Sequence, residues 1–338
     1  MKTNKTNCSS GLSYHFHTNG KTCSVTGMGN CADTALVIPE TVNGYTVTAV
    51  ADEAFRACAA LTEVIIPDSV TEIGEGAFAL CAGLEKIAVP SGVSRIGSFA
   101  FYECRSLTDI RIPEALQAVE PNAFDSCTHL TAVSIPDSVT RIGDGAFQNC
   151  IRLTELTVPR GVTQIGARAF WSCEALKALH LSETVTEIGE MAFFFCKSLE
   201  TVTIPHSVGV IGKEAFMQCS RLKIAVIGNS LLRIEQSLFR DCTKLSAVVI
   251  GSGVTSIGDF AFSLCTSLSG VALPPCLTEI GDFAFSRCTS LSGVSFPEAL
   301  VRIGKGAFEG CGKLTDVSIP ETTVSVGERA FDEHTQRA

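Results

Sequence analysis

The stretch LTEVIIPDSVTEIGEGAFALCAG, residues 61–83, decides the fold, because the chain repeats its pattern every 23 residues. We number each unit from its leucine, so that column 1 is Leu61 in the first unit. Column 1 is leucine in twelve successive units without an insertion, and the phenylalanine of column 18 recurs along the chain as regularly. The column-21 cysteines are Cys58, Cys81, Cys104, Cys127, Cys150, Cys173, Cys196, Cys219, Cys242, Cys265, Cys288 and Cys311. A period of this length predicts a solenoid.

The spacing within one unit predicts the shape of one coil. Val64 and Ile66 form an apolar pair with the two-residue spacing that is typical of a short, half-buried strand. Pro67 ends that strand because proline has no amide hydrogen for the ladder. A second extended stretch runs to Gly74, and the apolar spacing over residues 77–81 predicts one helical or 3₁₀ turn at a corner. Stacked coils then place their strands in a parallel sheet along one side.

A single coil of this kind is not stable by itself. Its large apolar side chains contribute about 1.5–3 kcal/mol each when buried. Ordering the backbone costs about 1–2 kcal/mol per residue, and over the 23 residues of a coil this cost exceeds the contribution of the buried side chains. The difference has to come from contacts and hydrogen bonds with neighbouring coils, so the units fold only as an array.

The repeat resembles the BspA-like leucine-rich repeat family. The resemblance is carried by stretches such as LTAVSIPDSVTRIGDGAFQNC (130–150) and LTEVIIPDSVTEIGEGAFALC (61–81). It implies an α/β-type leucine-rich repeat solenoid, mostly β with short helical or 3₁₀ corners, elongated and curved. It also implies no catalytic activity, and for several relatives a role at the cell surface in adhesion to host or matrix proteins.

Two regions follow from the repeat boundaries. Residues 1–60 are predicted to form an N-terminal β-hairpin cap and a lengthened first repeat, and residues 61–338 form twelve 23-residue repeats with a short polar tail. Alternating residues flank Asn19-Gly20, which favours a hairpin with a type I′ turn. No comparable lid follows Phe331, so the last coil has an open strand edge. Three alternatives stay open: the polar tail covers this edge, the coil contacts a partner (which includes end-to-end self-association), or the chain is a fragment.

Composition excludes several classes of partner. The formal net charge of −9 argues against nucleic acid as the main partner. No apolar run approaches the length needed to span a bilayer, so no membrane insertion is expected. No signal peptide is visible at the start. Localisation stays open, because the resemblance suggests a surface or secreted protein while unpaired buried cysteines suit a reducing compartment.

The sequence indicates no cofactor, metal site or catalytic residue. The cysteine ladder lacks the close pairs that zinc sites use and is interpreted as a column of small buried apolar side chains. Cys8, Cys23, Cys31 and Cys276 lie off the ladder, and a Cys23–Cys31 disulfide in the cap stays open. His15 and His17 share one face of a strand without a third ligand, which favours an exposed hairpin face over a metal pair.

What remains for function is the exposed side of the strands, at columns 3 and 5. From the seventh to the eleventh unit these columns carry no charge, unlike Glu63 or Lys86 earlier in the chain. The candidate partner-binding residues are Ile224, Val226, Ala247, Val249 and Ala272. The alternative interpretation is that β-branched residues merely favour strands. We predict a non-enzymatic module that binds other proteins. The first hypothesis is an adhesion-type module at the cell surface that binds a host or matrix protein. The alternative is an intracellular scaffold.

Overall fold

The computed structural model describes residues 8–337 and contains strands and turns. The chain divides into two compact units, Met1–Thr154 and Glu155–Ala338. The strands of the first unit are β1 Ser13–Phe16, β2 Thr22–Gly27, β3 Ala35–Val37, β4 Thr41–Val42, β5 Tyr45–Val50, β6 Glu63–Ile65, β7 Glu72–Ile73, β8 Lys86–Ala88, β9 Arg95–Ile96, β10 Asp109–Arg111, β11 Ala118–Val119, β12 Ala132–Ser134 and β13 Arg141–Ile142. The strands of the second unit are β14 Glu155–Thr157, β15 Gln164–Ile165, β16 Ala178–His180, β17 Glu187–Ile188, β18 Thr201–Ile204, β19 Val210–Ile211, β20 Ile224–Ile227, β21 Arg233–Ile234, β22 Ala247–Val249, β23 Ser256–Ile257, β24 Gly270–Ala272, β25 Glu279–Ile280, β26 Gly293–Ser295, β27 Arg302–Ile303, β28 Asp316–Val317, β29 Ser325–Val326 and β30 Gln336–Arg337.

Both units are parallel β-solenoids, as the repeat predicts. Strands pair with the equivalent strand one coil away, so that Val64 lies beside Ile87 and Ile188 beside Ile211, each 23 residues apart. Each coil contributes one strand at columns 3–5 and a second at columns 12–13. The solenoid fold and its register are therefore confirmed.

The core is built from the repeated apolar columns. The column-18 phenylalanines from Phe55 to Phe308 are fully buried. In the second unit Phe193 stacks on Phe170 and on Phe216, with ring centroids 5.3 and 5.2 Å apart. Offset stacking adds to the free energy that burial alone provides, so this column joins successive coils.

The predicted helical corner is wrong, because residues 8–337 contain no helix. At the corner of the first repeat the amides of Gly76, Phe78 and Leu80 donate to carbonyls of the next coil, at 2.7–2.9 Å. The amides between them bond three residues back within their own coil. Columns 16 and 20 have a positive φ, as in Gly76 (58°) and Leu80 (63°). Two left-handed residues four apart interrupt the run of right-handed residues that a helix needs.

The predicted N-terminal hairpin is present, with β1 paired antiparallel to β2. Its turn differs from the predicted type I′ form, because Gly20 has a positive φ (67°) and Asn19 does not. The Asn19 side chain instead accepts hydrogen bonds from the amides of Lys21 and Thr22, which holds a longer loop. Strand β2 continues the sheet by pairing in parallel with β5.

The glycines of column 14 are explained by close approach between coils. Gly97 has an ordinary φ, but a Cβ there would lie 2.6 Å from the backbone nitrogen of Glu75 and 2.8 Å from its Cα. Gly92, in the same coil, faces open space. Glu120 and Glu235 occupy this column in two other coils, which agrees with the absence of a positive φ.

Replacement of Gly97 by alanine should therefore lower the free energy of unfolding by about 1–3 kcal/mol, since backbone atoms of the preceding coil must move. Gly92→Ala is the matched control and should be neutral or stabilising by up to about 1 kcal/mol, because it only restricts the unfolded chain. Urea unfolding of the two variants measures the difference. Equal stability of the two would contradict the close approach between coils.

Candidate protein-binding surface

The cysteine ladder belongs to the core from Cys81 to Cys311, whereas Cys58 at its start is half-buried. Buried ladder thiols donate a hydrogen bond to the carbonyl oxygen of the phenylalanine 26 residues earlier, as Cys81 does to Phe55 at 3.0 Å and Cys219 to Phe193 at 3.4 Å. The first ladder cysteine, Cys58, instead donates to the carbonyl oxygen of Arg56. Burial raises the pKa of Cys81 and that of Cys219 to about 12. The sequence predicted small buried apolar side chains, but it did not reveal the hydrogen bonds that these thiols donate.

The cysteines off the ladder are not joined to one another. Cys23 is buried and its Sγ donates to the carbonyl oxygen of Thr46, while Cys31 is a half-buried free thiol. The disulfide between Cys23 and Cys31 is thus not formed in this structure. Cys276 donates to the carbonyl oxygen of Ser252 at 2.8 Å, and Cys8 is exposed.

His15 and His17 lie side by side on the hairpin, with ring centroids 5.7 Å apart. The two ring nitrogens of His17 are 2.8 and 2.9 Å from the hydroxyl oxygens of Thr22 and Ser24. Within residues 8–337, no group of three or more histidine, cysteine or acidic side chains could hold a metal ion. The same residues include no helix long and apolar enough to cross a membrane.

Five residues were predicted to form a binding face, and the structure places all of them on adjacent strands. Strand β20 pairs on one side with β18 and on the other with β22, which aligns Ile224 with Ala247 and Val226 with Val249. Ala272 lies on β24, next to β22. We call Ile224, Val226, Ala247, Val249 and Ala272 the strand face.

Exposure differs among these side chains. Ile224 is 44% exposed and Val249 is 57% exposed, and both alanines are exposed. Val226 was predicted to be exposed, but it is half-buried, because Thr203 and Val249 flank it on the neighbouring strands. Ile224 and Val249 are therefore the main apolar groups that the strand face offers to a partner.

The strand face is bordered by paired charges. At the adjoining column 2, Lys223 forms an ion pair with Glu200 at 2.7 Å. In the first unit, by contrast, the equivalent strand positions carry Glu63, Lys86 and Asp109. The strand face thus differs from the charged column 3 of strands β6, β8 and β10.

A second apolar surface lies on the turns of the second unit and was missed by the sequence analysis. It consists of Trp171, Met191, Phe194, Phe195 and Met217, all half-buried, and we call it the aromatic patch. These residues occupy columns 16, 19 and 20, outside the core columns. The sequence signal was the only tryptophan of the chain and the run Phe193–Phe195, in which one phenylalanine suffices for the core.

Parallel strands in a 23-residue register, buried leucine and phenylalanine columns and inward-pointing thiols define a leucine-rich repeat solenoid. The chain belongs to the BspA type leucine rich repeat family, whose model of the repeat region matches residues 48–177, 140–265 and 209–337. This family is consistent with a protein-binding repeat module. A search among curated proteins finds no match to the chain.

Solved structures of bacterial proteins share the fold over nearly the whole chain. A leucine-rich repeat protein from Bacteroides ovatus is 28% identical, with a TM-score of 0.66 over 97% of this chain and 98% of that one. A leucine-rich cell surface protein from Faecalibacterium prausnitzii is also 28% identical, with a TM-score of 0.59 over 97% and 86% of the two chains. The pneumococcal vaccine antigen PcpA, at 18% identity, has a TM-score of 0.60 over 97% and 93%, which shows likeness of fold alone.

Proposed function

We propose that the protein is a non-enzymatic, adhesion-type module at the cell surface that binds another protein through the strand face. The observation that carries this proposal is the run of uncharged residues at columns 3 and 5 from Thr201 to Ser295, with Ile224 and Val249 exposed on adjacent strands. Burying such side chains against a partner gains about 25 cal/mol per Å² of apolar surface. Adjacent rigid strands hold them in place, so little conformational entropy is lost on binding.

The likeness to the cell surface protein of F. prausnitzii supports a surface location, since the similarity extends over nearly all of this chain. A host or matrix protein is the partner class that fits such a location. An uncharged face also makes a specific prediction about the interaction: its affinity depends mainly on apolar contact and only weakly on ionic strength.

Binding of the purified chain to immobilised laminin, fibronectin and collagen IV tests the proposal. Wild-type protein should bind at least one of them, and the double variant Ile224→Glu/Val249→Glu should bind about 10-fold more weakly or not at all, because two buried unpaired carboxylates would be created at the contact. Val210→Glu is the matched control, since Val210 is also 57% exposed but lies on β19, in the second strand of its coil.

Several outcomes would contradict the proposal. Failure of wild-type protein to bind any of the three probes would overturn the adhesion role. Equal binding by the double variant, or equal loss in Val210→Glu, would overturn the assignment to the strand face. Far-UV circular dichroism and the urea midpoint of each variant confirm that the fold is retained. Protease treatment of intact cells tests the location, and complete protection of the protein would favour the intracellular scaffold instead.

A further inference from the structure

The aromatic patch is not required by the core beneath it. Phe170, Phe193 and Phe216 already fill the interior of these three coils and are fully buried. Trp171, Phe194 and Met217 each follow one of them by a single residue and lie half-exposed on the outside of the turn. Tryptophan, phenylalanine and methionine are the residues enriched at the centres of protein interfaces.

The arrangement of the rings narrows the kind of partner. Trp171 stacks on Phe194 with centroids 6.2 Å apart, and Phe194 stacks on Phe195 at 6.0 Å. The Lys197 ammonium lies 3.9 Å from the centroid of the Phe195 ring. Ring faces are thus partly occupied within the chain, which leaves ring edges and thioether groups for a partner. A sugar, which stacks on an open ring face, fits this surface less well than protein side chains do.

The charges around the aromatic patch have opposite signs at the two ends of the patch. Along column 16, Arg168, Met191 and Glu214 follow one another in successive coils. The neighbouring charges are paired within the chain, Lys197 with Glu174 at 3.0 Å and Lys213 with Glu190 at 3.6 Å. Within residues 8–337, neither Arg168 nor Glu214 has an ion pair. One cation and one anion therefore flank the patch without a partner.

This pattern is complementary to itself. A two-fold axis through Met191 and Phe194 would place a second copy against the patch with its coils in the reverse order. Arg168 of each copy would then lie opposite Glu214 of the other. The same axis places Trp171 opposite Met217 and brings the two Phe194 rings together. Equal spacing of successive coils, at about 4.8 Å, keeps these pairs in register. Isologous interfaces of two-fold dimers require such self-complementarity.

We infer that two copies of this chain pair in an antiparallel arrangement through the aromatic patch. The interface has an apolar centre, formed by the five patch residues, and two equivalent Arg168–Glu214 ion pairs at its rim. It occupies the turn columns 16 to 20, whereas the strand face occupies columns 3 and 5. Dimer formation is therefore independent of the proposed adhesion function.

Sedimentation equilibrium of the full chain up to about 100 µM tests this inference. Wild-type protein should dimerise reversibly. Arg168→Glu should raise the dissociation constant about 10-fold, because it places two carboxylates opposite each other at both rims. Adding Glu214→Arg to that variant should restore the affinity to within about 3-fold, since both pairs re-form with reversed sign. Arg287→Glu, an equally exposed change on a turn away from the patch, should have no effect.

Monomeric wild-type protein over this range would overturn the inference, including the case in which a different protein covers the patch. A dimer that is indifferent to Arg168→Glu, or one that the charge exchange fails to restore, would overturn the two-fold geometry. Trp171→Ser provides a second measure, because it removes apolar contact without changing charge. It should weaken the dimer, and unchanged affinity would exclude the patch as the interface.

Discussion

Raising the pH from 8 to 10 is expected to lower the free energy of unfolding by on the order of 10 kcal/mol, which is enough to unfold a typical domain. The cause is the cysteine ladder. Burial raises the pKa of the thiols of Cys81, Cys104, Cys127, Cys196, Cys219, Cys242 and Cys265, and Cys288 is raised mainly by its hydrogen bond with Cys311. In the unfolded chain each thiol ionises near its ordinary pKa, whereas in the native coils it stays protonated.

The direction of the effect follows from proton binding. Above about pH 8.5 the unfolded state binds fewer protons than the native state, so stability falls as the pH rises. The contribution of the thiols is complete below that pH and is lost progressively up to the native pKa, about 12 for Cys219. At pH 10 each of these thiols costs about 1.9 kcal/mol relative to pH 8.

Urea unfolding at several pH values measures this loss. The double variant Cys219→Ala/Cys242→Ala is the control, because lysines and tyrosines also ionise in this range and are unchanged in it. Between pH 8 and pH 10 its stability should fall by about 1.9 kcal/mol less than that of the wild type for each thiol removed. A wild-type stability at pH 10 within about 2 kcal/mol of the value at pH 8 would contradict the burial of the ladder.

Replacement of Phe193 by alanine is expected to lower the free energy of unfolding by about 3–5 kcal/mol. Its ring is fully buried and stacks nearly parallel to Phe170 and Phe216, with interplanar angles of 4° and 6°. Removing it leaves a cavity between two rigid coils, which the backbone hydrogen bonds between coils prevent from collapsing.

Phe194→Ala is a control at the next residue. Phe194 is half-exposed on the outside of the turn, so its loss should cost about 1 kcal/mol or less. Guanidinium unfolding followed by circular dichroism compares the two variants. An equal loss of stability in both, or a larger loss in Phe194→Ala, would show that column 18 is not the interior column.

The stacked coils could be predicted from the sequence because the period is strict. A column that is always leucine or phenylalanine at 23-residue intervals has to face the same column in its neighbours, and parallel pairing with that offset follows, as between Glu63 and Lys86. The strands could also be predicted, since alternation at Val64 and Ile66 and the following Pro67 are local signals.

The corner could not be predicted in the same way. The apolar spacing at Ala77, Phe78 and Cys81 fits a helical turn and a series of tight turns equally well. What distinguishes the two is the set of hydrogen bonds to the next coil, such as Phe78 to Ala100, which has no signature within one unit. The left-handed conformation of Phe99 and Met191 could not be predicted from the residue type either, because neither phenylalanine nor methionine favours a positive φ.

The strand face and the aromatic patch also differ in whether they could be predicted from the sequence. The uncharged strand face could be predicted from columns 3 and 5, because alternation assigns those side chains to the outside of the sheet. The overestimated exposure of Val226 reflects its neighbours on both sides, which a single strand does not reveal. The aromatic patch depends on the turn geometry that brings Trp171 next to Phe194, so it became visible only with the structure.

Alkylation of native protein at pH 8, read out residue by residue by mass spectrometry, tests most directly whether the repeated columns form the interior and leave only the outer columns for binding. The predicted result is that exposed Cys8 is labelled rapidly, while Cys196, Cys219 and Cys242 are labelled only after unfolding. Labelling of those three ladder thiols at the rate of Cys8 in the native protein would contradict the account.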